Sequence, residues 1–146
     1  MNYVQLQIKI VNNSMDLISI SCLAGFIGDT LLQIGAKQGM GGSTNWGLKD
    51  YFKQHGQVES TFIAGGMMSV FYVIYIYIIP LPINYLFMSI YAVFLDLFFR
   101  KTMFFPSLKG YYNYFGYFGS ALWAIIPALI PLIVYDIIHK QYPVLL

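Results

Sequence analysis

Leu-Ile-Ser-Ile-Ser-Cys-Leu-Ala-Gly-Phe-Ile-Gly-Asp-Thr-Leu-Leu-Gln-Ile-Gly, residues 17–35, carries one charge, Asp29, in nineteen residues. As a helix rising about 1.5 Å per residue it covers about 28 Å, close to the ~30 Å hydrocarbon core of a bilayer. Three further apolar stretches have similar length: residues 61–79, 83–99 and 119–138. The pattern predicts an all-α, polytopic membrane protein, a small bundle of four transmembrane helices in a single domain spanning 1–146.

Composition agrees with that solvent. The chain is 58% hydrophobic and only 10% charged, with a mean hydropathy of +0.64. A soluble domain carries about 25% charged residues. The net charge of +2 is too small for nucleic-acid binding, and the basic residues form no single patch. Cys22, the lone cysteine, has no internal disulfide partner and reads as a small packing residue.

Residues 3–11 alternate apolar and polar, the pattern of a short strand or an extended tail. The first stretch lacks the short, charge-free core and small-residue cleavage site of a secretory signal, so it is expected to stay as a helix. The triplet Asn12-Asn13-Ser14 is a glycosylation sequon, but it abuts the membrane. Residues 39–47 are glycine-rich without the lysine of a phosphate-binding loop. Residues 48–59 place Leu48, Tyr51 and Phe52 on one face, which predicts a short amphipathic helix at the interface. Pro80-Leu81-Pro82 ends the second helix and makes a tight turn. Asn84 stands at the start of the third. Pro127 and Pro131, one turn apart, predict a kink in the fourth.

Four crossings put residues 37–59 and 100–116 on one side. These hold Lys37, Lys49, Lys53, Arg100, Lys101 and Lys109, whereas the termini hold Lys9 and Lys140. Six basic residues against two predict cytosolic long loops and both termini together on the other side.

Charges inside apolar helices are costly and mark functional candidates. Asp29 and Gln33 share a face of the first helix. Asp96 and Arg100 are spaced i,i+4 in the third. The topology places these four in one leaflet, as an intramembrane polar cluster that either glues helices together or lines a vestibule. Asp136 and Lys140 form a second such pair, expected to anchor the far interface. Gly25, Gly28, Gly65, Gly66, Gly116 and Gly119 mark possible close helix approaches. Most tyrosines fall near the predicted interfaces, as in an aromatic belt. Lys109, Tyr111, Tyr112 and Tyr114 form an aromatic, basic loop suited to partner contact. No nucleophile–base pair, metal-ligand set or cofactor motif is readable. The expectation is a protein that is not an enzyme and has no cofactor.

The order of several motifs resembles the Mpv/peroxisomal-membrane-protein family, four-helix proteins of peroxisomal and inner mitochondrial membranes. Gly28-Asp29 followed by Gln33 is similar to that family's first-helix motif. Asp50, then Gly65-Gly66 with Phe71-Tyr72 six residues on, follows its next motifs in order, with Gly66 and Phe71 in place of the family's proline and tryptophan. Trp123 and Pro127 are similar to its last tryptophan–proline motif. Leu97 replaces the glutamine after the third-helix aspartate, and Ile130, Pro131 and Ile133 replace polar residues. The resemblance implies a small pore or permeability role in an organelle membrane.

Two functional expectations follow. One is a structural or scaffolding protein whose partners are the lipid bilayer, other membrane or coat proteins and further copies of itself. It would link a membrane to a coat. The richness in Ile, Tyr, Phe, Lys and Asn fits an AT-rich genome, such as that of a large DNA virus with an internal membrane. The other is a channel or permeability protein using the vestibule around Asp29.

Overall fold

A computed structural model describes residues 3–43, 47–81, 83–98 and 113–141, with side-chain surroundings from residue 14 to residue 139 within those ranges. Among these residues the chain is helical: α1 Tyr3–Lys37, α2 Leu48–His55, α3 Gln57–Ile78, α4 Tyr85–Leu95, α5 Tyr117–Trp123 and α6 Ile125–Gln141. Three helical stretches are long and apolar enough to cross a membrane: Ser14–Lys37, Gln57–Ile78 and Tyr117–His139. The apolar helix Tyr85–Phe98 is shorter. At about 1.5 Å per residue its described part covers about 21 Å.

The alternating segment at the N-terminus is helical, not a strand or an extended tail. A strand needs a paired neighbour. A helix already nucleated in the apolar span extends by one hydrogen bond per added residue, so extension wins over a solitary strand. The polar stretch 48–59 is split in two. Gly56 adopts φ 78°, ends α2 and lets α3 begin at Gln57, four residues before the apolar run. Asn84 caps α4, its side-chain oxygen accepting from the Phe87 N–H at 2.9 Å, which satisfies one of the donors a helix start leaves open. The last turn of α4 widens into a π turn over 96–98.

The expected break in the last span lies at Ala124, between α5 and α6. Pro127 has no N–H to return to Trp123, and Pro131 has none for Pro127. The chain tightens there, with Ala124 N–H bonding Ala121 O at 3.1 Å.

Neighbouring helices run antiparallel. Asp29 meets Ser60, and Gly25 meets Gly65. Residue numbers along the α1–α3 seam therefore rise on one helix as they fall on the other. The core joins Leu17 of α1, Tyr72 and Tyr75 of α3, Met88 and Tyr91 of α4 and Leu132 of α6. Two of its largest members are tyrosines with no exposure at all, Tyr72 and Tyr75, so these two lie inside the bundle and outside any interfacial belt. Tyr72 donates to the Ala128 carbonyl, and Tyr91 donates to the Phe71 carbonyl at 2.9 Å. Ring contacts at 4.5 Å between Phe71 and Tyr91 and 5.1 Å between Tyr75 and Tyr91 close the α3–α4 hairpin. Outward faces are apolar, with Leu31, Phe62, Ile78, Leu86 and Phe118 all more than half exposed. Lipid is the solvent that such a surface suits.

Candidate functional site: a carboxylate held between two helices

Asp29 lies on the face of α1 that α3 covers, and it is 5% exposed. Two glycines bring the helices that close. A Cβ on Gly25 would stand 2.6 Å from the Ala64 carbonyl oxygen, and one on Gly65 would collide with the Phe26 ring. By contrast, Gly28 and Gly66 have nothing within 4 Å of the same construction. Neither therefore stands at the point of closest approach.

One turn beyond Gly25 the close approach becomes polar. The hydroxyls of Ser60 and Thr61 each donate to Asp29 Oδ2 at 2.9 Å. Gln33, one turn further along α1, donates to the same oxygen at 2.7 Å. Its amide nitrogen also stands 2.8 Å from the Gln57 carbonyl, 3.0 Å from Ser60 Oγ and 3.2 Å from Thr61 Oγ1. Ser60 and Thr61 both reach the Gln57 carbonyl at 3.0 Å. A carboxylate in an apolar span needs donors of this kind, since an unsatisfied one costs several kcal/mol.

Helix α2 lies across the loop-side end of this cluster. Leu48 and Tyr51 are its buried residues, and Tyr51 stacks on His55 at 4.9 Å. Burial, with the Asp29 and Glu59 charges nearby, pushes the Tyr51 hydroxyl up to about 12. It therefore stays a neutral phenol through the physiological range. Between α1, α2 and α3 a cavity of about 140 Å³ is lined by Gln33, Ala36, Lys37, Lys49, Phe52 and Gln57.

Of the residues singled out from the sequence, Asp29 and Gln33 are brought together by the fold. Asp96 is also buried, at 4% exposure, but in the π turn closing α4, and it is not among the groups that hydrogen-bond Asp29. Arg100, Lys109, Tyr111 and Tyr112 lie outside the described residues. Tyr114 is 67% exposed and packs edge-on against Phe115 at 4.9 Å. Phe115 in turn rests on Trp123 at 5.5 Å. At the far end Asp136 accepts from the Tyr85 hydroxyl, a helix-to-helix contact between α4 and α6. The Lys140 side chain lies outside the described part.

Sequence reasoning did not single out Gln57, Ser60 or Thr61 by position, and it placed Tyr51 only on the face of the interfacial helix. The signal was present in the glycines: antiparallel pairing of Gly25 with Gly65 sets Asp29 opposite residues 60 and 61. Among the described residues no three His, Cys, Asp or Glu side chains gather as a metal site. Comparison of the chain with protein-family models, with curated proteins and with solved structures returns no match.

Proposed function

We propose that this is a small integral membrane protein with a structural or scaffolding role. It crosses the bilayer four times with both termini on one side, packs with itself or with other proteins, and links a membrane to a coat. The observation that carries this reading is the use made of Asp29. Its carboxylate is taken up by hydroxyls and an amide at a helix crossing too close to admit a methyl group. Such a seam holds two helices in register, as a structural role requires. The exposed pair Tyr114 and Phe118 adds apolar surface at the start of the last span, beside the aromatic, basic loop expected to contact partners. An organelle membrane or the internal membrane of a virion suits such a protein.

The competing reading is a permeability protein, as the family resemblance would imply. One observation favours it: the cavity between α1, α2 and α3 reaches Gln33. Reconstitution of the purified protein into liposomes separates the two. The structural role expects no ion or small-solute flux above empty vesicles. It also expects loss of self-association or partner co-purification when Tyr111, Tyr112 and Tyr114 are replaced by serine. Flux that disappears in Gln33→Leu would establish the permeability role instead.

A further inference from the structure

The groups around Asp29 contain more acceptors than protons. Asp29 Oδ2, Ser60 Oγ, the Gln57 carbonyl oxygen and Thr61 Oγ1 form a closed ring. Its edges are 2.9 Å from the carboxylate to each hydroxyl and 3.0 Å from each hydroxyl to the carbonyl. Gln33 Nε2 caps the ring, 2.7 to 3.2 Å from all four oxygens. Each hydroxyl has one proton for two acceptors, and the amide nitrogen has two protons for four. Half of these close approaches therefore lack a hydrogen, and a cation at the ring would satisfy all four oxygens at once.

Charge and size narrow the ion. The ring carries one negative charge, so a monovalent cation neutralises it, while a divalent one would leave a net charge inside an apolar span. Calcium also seeks six to eight oxygens, and magnesium keeps several waters. The absence of soft or imidazole ligands from the ring disfavours transition metals. Four oxygens linked by edges of 2.9–3.0 Å stand close enough together for one small hard cation to touch them at once, since such ions take oxygen ligands at about 2.0–2.6 Å. Turning the Gln33 amide by a half-rotation exchanges Nε2 for Oε1 at nearly the same place and supplies a fifth oxygen.

We propose that Asp29, Gln33, Gln57, Ser60 and Thr61 bind one sodium ion, which ties the loop-side end of α1 to the start of α3. This goes beyond the structural role and holds for the permeability reading equally, so its test is independent of both.

The experiment melts the purified full-length protein in micelles, in sodium chloride and in choline chloride at equal ionic strength. The expected result is a melting temperature that rises with sodium concentration and stays flat with choline. Asp29→Asn keeps the shape of the ring but removes its charge, and is expected to abolish the rise. Should that variant fail to fold, Thr61→Val removes one ligand oxygen at nearly constant volume. It is expected to raise the half-saturating sodium concentration about tenfold, equivalent to about 1.4 kcal/mol. Identical wild-type melting in sodium and choline overturns the proposal. An undiminished sodium response in folded Asp29→Asn or in Thr61→Val overturns it as well.

Discussion

Gly25→Ala tests the helix seam with a single added methyl. That carbon would stand 2.6 Å from the Ala64 carbonyl oxygen and 2.8 Å from both Ala64 C and Gly65 Cα. All three are backbone atoms, so no side chain can rotate out of the way. Ordinary contact begins near 3.4 Å, and α1 must retreat from α3 by 3.4 − 2.6 = 0.8 Å. One turn away the same retreat stretches the 2.9 Å bonds from Ser60 and Thr61 to Asp29 to about 3.7 Å, beyond hydrogen-bonding range. Overpacking of this kind costs about 1–3 kcal/mol, and each lost interhelical bond in a membrane about 0.6 kcal/mol. Alanine recovers about 1 kcal/mol of helix propensity. The net loss is then about 1–3 kcal/mol. Gly28→Ala is the control: three residues away on the same helix, with nothing within 4 Å, it is expected to be neutral or to gain up to about 1 kcal/mol. Detergent-titrated unfolding followed by circular dichroism measures both. Equal stabilities for the two variants would refute the close crossing.

The remaining expectations are simpler. Tyr72→Phe removes a hydroxyl that donates to the Ala128 carbonyl from a position with no exposure. It is expected to cost about 0.6–1.7 kcal/mol in the same unfolding assay, and a change within error would mean that the contact contributes nothing. Single cysteines at positions 5, 45, 108 and 143, in a background with Cys22 replaced, are expected to label with 5 and 143 on one face and 45 and 108 on the other. Positions 5 and 143 on opposite faces would rule out the even number of crossings.

The membrane character was legible because it depends only on the summed apolarity of long runs, and no packing detail can reverse a 24-residue helix that contains an 18-residue window of mean hydropathy 1.7. Boundaries were less legible. The alternating residues 3–11 read as extended because period-2 patterning assumes a sheet partner, whereas a preceding turn of an existing helix needs none. The split at Gly56 was hidden because a single glycine among polar residues gives a weak signal. Its positive φ is visible only once α2 folds back along α1 and α3. Asp29 and Gln33 were legible as polar residues on one helical face. Ser60 and Thr61 were not, because hydroxyl residues are common in membrane helices, and only the α1–α3 register distinguishes these two. Tyr72 and Tyr75 lie fully inside although tyrosine favours the interface. The Ala128 carbonyl of α6 gives Tyr72 a buried acceptor, so its hydroxyl is satisfied inside the bundle.

Glycines and polar residues divide the labour along the α1–α3 seam. Between helices in lipid, apolar side chains supply little driving force for association, since lipid tails are equally apolar. Close approach at Gly25 and Gly65 brings backbones into van der Waals contact, but glycine alone does not fix register, because a small shift along the helix leaves much of the contact intact. The carboxylate does fix it. A one-residue slip of α1 rotates Asp29 by about 100° and advances it about 1.5 Å, which takes Oδ2 away from both hydroxyls and leaves a charge facing hydrocarbon. That penalty is large enough to select one alignment from its neighbours, at about 2.5–3.5 kcal/mol for an aspartate near a helix centre. The seam thus holds α3 in the alignment that presents Tyr72 to α6 and Phe71 and Tyr75 to Tyr91 of α4. The polar cluster at one end of the bundle and the tyrosine core deeper in it are two consequences of the same register.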